Sequence, residues 1–341
     1  MLINLDLIAT SQERLMLKAF SDSVSDIKNT TKLSQLERLI ASNDVEGAIR
    51  LLGLDPSAFE GVEEQIYQSY RRGGLTGAIQ LGDISASIGS ITARFDISAP
   101  QAVEWVRNSS GRLITEMVDG QADVVRETLA GNLDKGINPR QSALDLIGRV
   151  NAQGARVGGN IGLTTQQAAW VQSAREELSD LNGNYLTREL RDKRLDPLVR
   201  RAIADGKPLT PQQIESAITG MQSKTLKYRG EVIARTESIK ALRAGQHESL
   251  LQAVNKGDGE PGDIKRTWDA SADTRTRIDH LIMEGQERTG DIPFTFPDGS
   301  QAKFPSDDSL GAPPKQLIQC RCREVIEVDF IGRLKRVEGF R

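Results

Sequence analysis

Leu317-Ile318-Gln319-Cys320-Arg321-Cys322-Arg323-Glu324-Val325-Ile326-Glu327-Val328-Asp329-Phe330 is the stretch on which the reading of this chain turns. Its β-branched residues Val325, Ile326 and Val328 favour extended backbone, so it reads as one or two strands. Cys320 and Cys322 stand two apart, and in a strand both side chains point to one face. Working back, residues 228–330 hold both histidines, His247 and His280, both cysteines, and Trp268. Lys265-Arg266-Thr267-Trp268-Asp269 reads as a strand and 272–285 as a short helix. Residues 292–296 and 302–304 flank Pro297-Asp298-Gly299, a turn triplet that predicts a hairpin. The region is therefore expected to be a small α+β domain with an antiparallel sheet.

Upstream the period becomes that of helices. Residues 11–28 place Leu15, Leu17, Phe20, Val24 and Ile27 at helical spacing. Residues 33–52 repeat it, with Gly53 as the stop. Asp55-Pro56 supplies an N-cap and a first-position proline for a helix to residue 70, and Gly73-Gly74 reads as its break. Residues 75–97 are interrupted by Gly77, Gly82 and Gly89, and Phe95-Asp96-Ile97 reads as a short extended segment. Residues 102–130 form the longest expected helix, although Gly111 and Gly120 each weaken it by roughly 1 kcal/mol relative to alanine. Asn138-Pro139 opens a helix to residue 150.

Residues 151–162 are glycine-rich but lack the Gly-Lys-Ser/Thr ending and preceding strand of a phosphate loop, so they read as a flexible connector. Thr164-Thr165-Gln166-Gln167 and Thr210-Pro211-Gln212-Gln213 fit capping boxes that open helices to residues 181 and 226. Residues 231–254 form a further helix, ended by Lys256-Gly257-Asp258-Gly259. The fold expected is a mainly α N-terminal part, a bundle or elongated helices, followed by the α+β domain. The serial division is a helical region 1–97, a central helical domain 98–227, the α+β domain 228–330 and a tail 331–341.

Composition sets the bounds. Only 4% of the 341 residues are aromatic, so the cores must be aliphatic. The net charge of −3 argues against a general nucleic-acid coat. Charge is uneven, however: residues 188–243 carry 13 Lys/Arg against 7 Asp/Glu. Arg188, Arg191, Lys193, Arg194, Arg200 and Arg201 are the candidate nucleic-acid contacts. The competing reading is a solvated helical face with Glu189, Asp192 and Asp196 as local partners. Two cysteines one residue apart are no disulfide framework. Met1-Leu2-Ile3-Asn4-Leu5-Asp6 lacks the basic start of a signal peptide, and no apolar run reaches the roughly 20 residues that span a bilayer. A protein made in the cytoplasm, with no membrane segment, is expected.

The His and Cys residues admit three readings. The thiols are small buried apolar groups and His280 a hydrogen-bonded core residue. Alternatively His280, Cys320 and Cys322 are three zinc ligands, with His247, Asp273 or Asp279 as the fourth. The third is a Cys-His nucleophile pair. Trp268 reads as a core anchor. No cofactor is required, and structural zinc is the one candidate.

Ala234-Arg235-Thr236-Glu237, then Thr267-Trp268-Asp269, Asp273-Thr274-Arg275-Thr276-Arg277, His280, Gly285-Gln286 and Cys320-Arg321-Cys322 occur in this order. The set resembles the phage Mu protein F-like, or head morphogenesis, family of minor head proteins, and covers about a hundred residues from Tyr228 to Phe330. Two details depart from the family. Gln319 stands where Asn usually precedes Cys-Arg-Cys, and Met283-Glu284-Gly285-Gln286 replaces a Met-Asn-Gly-Gln-like segment. The resemblance places Arg235, Glu237, Asp273, Arg275 and Arg277 in the family motif, where they are expected to form one charged network between the 231–254 helix and the His280 helix.

The resemblance implies a low-copy virion component in the head near the portal, present in host cytoplasm during assembly and linked to DNA packaging or ejection. Its implied partners are the portal, other head proteins, packaged double-stranded DNA and copies of itself. A DNA-binding packaging or ejection factor using residues 188–243 is the second class. An enzyme, such as an ADP-ribosyltransferase, is the third. No Glu-x-Glu occurs, Gln246-His247-Glu248 falls in a helical run, and no Gly-x-Ser-x-Gly or His-Glu-x-x-His exists. A non-enzymatic protein is expected.

Overall fold

The computed structural model describes residues 5–86, 94–255 and 261–328. In chain order, α1 is Leu5–Thr30, α2 Leu33–Ala41, α3 Val45–Leu51, α4 Glu60–Ala86, α5 Pro100–Asp134 and α6 Pro139–Ile147. A short hairpin, β1 (Arg149–Val150) and β2 (Arg156–Val157), precedes α7 (Thr165–Ser179), α8 (Asp196–Asp205) and α9 (Pro211–Asn255). Then come β3 (Ile264–Asp269), α10 (Ile278–Ile282), β4 (Glu287–Thr289), β5 (Phe294–Thr295), β6 (Gln301–Ala302), α11 (Pro314–Leu317) and β7 (Arg323–Val328). The architecture is long helices followed by small antiparallel sheets, as expected. Among the described residues no helix is long and apolar enough to cross a membrane.

Packing divides the chain into two compact units that alternate along the sequence. One takes Met1–Leu17, Val62–Gly111 and Val232–Arg341, the other Lys18–Gly61 and Arg112–Glu231. The serial boundaries at 97/98 and 227/228 follow composition rather than packing, and the 331–341 tail lies outside the described residues. The 227/228 boundary falls inside α9, a single helix of 45 residues where two had been expected. Lys256 and the glycines after it also lie outside the described residues.

In the unit of residues 18–61 and 112–231, local capping chemistry sets most boundaries. The Thr164 hydroxyl accepts from Gln167 N and the Gln167 side chain accepts from Thr164 N, a complete capping box. Thr210 and Gln213 make the same reciprocal pair at the start of α9. The expected helix 33–52 is two helices. Asn43 takes a left-handed φ of 57°, and the Asp44 side chain then caps α3 through Gly47 N. Residues 151–162 are no flexible connector. They form the turn and second strand of the β1–β2 hairpin and then a buried turn, where Gly158 (φ 71°) and Gly159 (φ 79°) leave no room for a Cβ and the Gln222 side chain accepts from Gly159 N. The core is aliphatic, with Leu163, Val171, Leu178, Val199, Ile218 and Met221 around Tyr185.

In the other unit, α4 runs straight through Gly73-Gly74, which had been read as a break. A Cβ on Gly73 would lie 1.9 Å from Leu242 O, and one on Gly245 1.9 Å from Tyr70 O. The glycines therefore let α4 and α9 approach backbone to backbone, and this packing outweighs their poor helix propensity. Residues 94–96 are held by Gln252, whose side chain donates to Asp96 O and accepts from Asp96 N. The pairing gives them a strand-like partner although they form no strand.

A prediction of opposite signs follows. Gly120→Ala, at a helical site with open space, is expected to stabilise by up to about 1 kcal/mol through helix propensity. Gly245→Ala is expected to destabilise by about 1–3 kcal/mol through overpacking. Urea denaturation of the two variants distinguishes these, and a stabilised Gly245→Ala would show that α4 and α9 are not packed this closely.

The sheet of this unit has the order β4-β3-β7, antiparallel throughout. Ile264, Arg266 and Trp268 face inward from β3, and its other residues are only partly buried. Beneath it Trp268, Met283, Phe294, Phe296, Cys320 and Cys322 form a small core. The β5–β6 hairpin closes around Pro297-Asp298-Gly299 as the sequence predicts, with Phe294 paired to Ala302. The expected helix 272–285 is only α10. Asp273 opens a turn instead, accepting from Arg275 N and the Thr276 hydroxyl.

Candidate functional site: a His-Cys-Cys cluster beside a buried charge network

His280 sits on α10, and its ring is fixed against Trp268, with centroids 5.7 Å apart edge to face. Cys320 and Cys322 lie in the loop between α11 and β7, not in the strand that sequence predicts. Gln319, with φ 56°, turns the chain before them. Asn tolerates that conformation better than Gln, a physical reason for the residue the family usually carries there. The turn presents Gln319 N to the Thr236 hydroxyl at 3.1 Å and sends both thiols inward.

His280 Nδ1 lies 3.3 Å from Cys322 Sγ and 3.6 Å from Cys320 Sγ. All three ligand atoms fall within 4.8 Å of one another, and all three residues are buried. His280 Nε2 faces Gln316 Oε1 at 3.1 Å, while Gln316 Nε2 donates to Asp279 at 2.6 Å and Asp298 at 3.1 Å. Cys320 is brought down to about 7, chiefly by its hydrogen bond from Cys322 and against the effect of burial. Cys322 is pushed up by the same pairing and by burial.

Neither His247 nor Asp273 joins this cluster, so the fourth ligand named from sequence is not supplied by either. The Asp273 carboxylate pairs with Arg321 and, at 3.3 Å, with Arg275, and the Arg321 bond holds it well below the ordinary range. Asp279 is the hydrogen-bond partner of Gln316. The single network expected of Arg235, Glu237, Asp273, Arg275 and Arg277 also breaks up. Arg235 meets Glu13 at 3.3 Å, Glu237 pairs with Lys240, and Arg277 donates to Ile318 O. These side chains have separate partners, and the link from α9 to the cysteine loop runs through Thr236 instead.

Gly285-Gln286 has a clear part. Gly285, at φ 74°, turns the chain so that its N–H donates to Trp268 O, and Trp268 N donates to Gln286 O, both at 2.9 Å. The Gln286 side chain then pairs with the backbone of Thr295, accepting from its N–H and donating to its C=O.

His247 belongs to a second cluster that sequence reading did not assemble. Its Nε2 contacts Asp291 at 2.8 Å, and its Nδ1 lies 3.8 Å from Glu324. Glu324 also meets Arg266 at 3.2 Å, and both side chains are 0% exposed. Arg266 further donates to Lys303 O and Ile292 O and stands over the Phe294 ring at 5.1 Å. The signal was present in the period of two, since Arg266 shares the inward face of β3 with Ile264 and Trp268, and Glu324 stands two residues from both Cys322 and Ile326. Two charges on inward strand positions must find each other.

Burial pushes the His247 pKa down, but Asp291 and Glu324 outweigh it and leave it raised. Asp291 is correspondingly lowered to about 2, against its partial burial. The imidazolium is thus favoured by folding. Its contribution to stability is fully present below the unfolded pKa of about 6.5 and fades as pH rises through the higher folded value. The stability gap between the parent and His247→Gln is expected to narrow over that interval, measured by thermal unfolding at stepped pH. A gap that widens with pH would contradict the charged pairing.

The basic residues at 188–201 lie on the other unit. Arg188 pairs with Glu177 at 2.7 Å, Arg191 with Asp196 at 2.7 Å and Arg194 with Asp192 at 2.7 Å. Lys193, Arg200 and Arg201 are exposed. Half of the candidate nucleic-acid contacts are thus engaged by acids.

Residues 193–325 match the family model described as Phage Mu protein F like protein. No curated protein and no solved structure matches the chain. The matched stretch contains both clusters, the Thr236–Gln319 contact and every motif residue from Arg235 to Cys322. Residues 193–325, rather more than a third of the chain, are thus similar to the Phage Mu protein F-like family.

Proposed function

We propose that this chain is a phage head morphogenesis protein, a minor, low-copy component of the virion that docks on the portal and assists procapsid assembly. The observation that carries the reading is the match over residues 193–325, in which several motif residues hold backbone. Arg277 binds Ile318 O, Gln286 binds Thr295 and Thr236 binds Gln319 N. Both cysteines are only 2% exposed, which suits a rigid folded unit better than a nucleophile meeting substrate.

Packaging and ejection roles rest on the same reading. The ion pairs at Arg188, Arg191 and Arg194 weigh against the DNA-binding alternative, because paired guanidinium groups release fewer counterions from DNA. The test is co-expression of the full chain with its cognate portal protein, followed by size-exclusion chromatography. A complex that co-elutes at fixed stoichiometry is expected. Separate elution, together with salt-sensitive retention of the chain on double-stranded DNA, would move the assignment to the DNA-binding class.

A further inference from the structure

We propose that His280 Nδ1, Cys320 Sγ and Cys322 Sγ bind one zinc-class divalent ion, with Gln316 as the residue that positions the imidazole. This reading rests on the geometry of the cluster and is independent of portal docking.

The tautomer is the first argument. The Gln316 amide nitrogen is committed to two carboxylates, Asp279 and Asp298, so its oxygen is the atom turned toward the ring. An oxygen acceptor at 3.1 Å requires His280 Nε2 to carry the proton. The neutral ring then has its lone pair on Nδ1, aimed at the two sulfurs. A carboxylate–amide–imidazole relay of this kind orients a metal-ligating histidine. A histidine merely filling a core has no need of a fixed lone pair between two thiols.

Spacing is the second. Tetrahedral zinc with bonds of about 2.3 Å to sulfur and about 2.0–2.1 Å to nitrogen separates those atoms by about 3.5 Å. The two observed N···S separations are 3.3 and 3.6 Å. Both separations match those that one shared tetrahedral ion imposes. The third argument is Ser306, 2% exposed at φ 74°, whose hydroxyl stands against the Cys320 thiol and would supply the oxygen that completes four-fold coordination. The ion would join α10, the loop before β7 and the segment at Ser306 around a core too small to be rigid on its own.

The full chain, purified without chelator, is expected to carry about one zinc per molecule by elemental analysis. After chelation it is expected to take up Co²⁺ with the thiolate charge-transfer and visible bands of a tetrahedral sulfur site. Cys322→Ser and His280→Gln are expected to lose both signals, whereas His247→Gln keeps them. Gln316→Leu is expected to weaken binding about 10–100-fold with the cobalt spectrum retained, which separates positioning from ligation. Because a ligand variant can fail to fold, alkylation of the parent chain gives an independent reading, with both cysteines protected until chelator is added. A folded chain that takes up neither zinc nor cobalt overturns the proposal. So does metal binding that survives Cys320→Ser and Cys322→Ser together.

Discussion

Replacing Arg266 by alanine is expected to destabilise the protein by about 3–5 kcal/mol, the range for breaking a fully buried ion pair. The variant leaves the Glu324 carboxylate with 0% exposure facing His247 alone, and it orphans Lys303 O and Ile292 O. The loss should therefore exceed that of any surface ion pair in the chain, such as Lys18–Asp22, by several-fold. Urea unfolding measures it directly. A combined Arg266→Met and Glu324→Leu exchange is expected to recover much of the loss, because it removes the stranded charge along with its partner. A cost below about 1 kcal/mol for Arg266→Ala would mean that water reaches the pair.

Trp268→Ala is the second large effect. The indole is 0% exposed and meets Phe294 at 5.3 Å, Phe296 at 5.6 Å and His280 at 5.7 Å, each edge to face. Truncation of a buried tryptophan costs about 3–5 kcal/mol through lost transfer energy and the cavity left behind. In so small a core the surroundings have few other side chains with which to close the gap. Trp268→Phe is expected to recover part of the loss. In these variants Trp105 and Trp170 carry all of the tryptophan fluorescence, so calorimetry or far-UV dichroism is the measurement. An unchanged midpoint in Trp268→Ala would mean that the indole does not anchor this core.

Sequence reading reached the capping boxes because their chemistry is local: Thr164 with Gln167 and Thr210 with Gln213 need only three residues of spacing. It reached the antiparallel hairpin at Pro297-Asp298-Gly299 for the same reason. It placed His280, Cys320 and Cys322 together through motif order, although the cysteines proved to sit in a loop shaped by Gln319. What it missed was decided at long range. Gly73 looks like a helix breaker until it is seen against the backbone of α9. Arg266 and Glu324 look like ordinary charged residues of strands until register pairs their inward faces. Tyr228 looked like the start of a domain because motif content changes there, while the helix that carries it continues without interruption.

The alternation of the two packing units has a consequence for synthesis. The unit built from residues 18–61 and 112–231 has all its parts once Glu231 has been made. The other holds residues from near position 10 and from 62–111 in waiting until β7 has emerged about a hundred residues later. Gly73 and Tyr70 lack the helix they pack against until residues 242–245 have been made, and Leu81 lacks Leu250, Ala253, Ile264 and, until β7, Ile326. A nascent chain in that state is a natural client for a chaperone, and conditions that slow elongation beyond Glu231 should raise its tendency to aggregate.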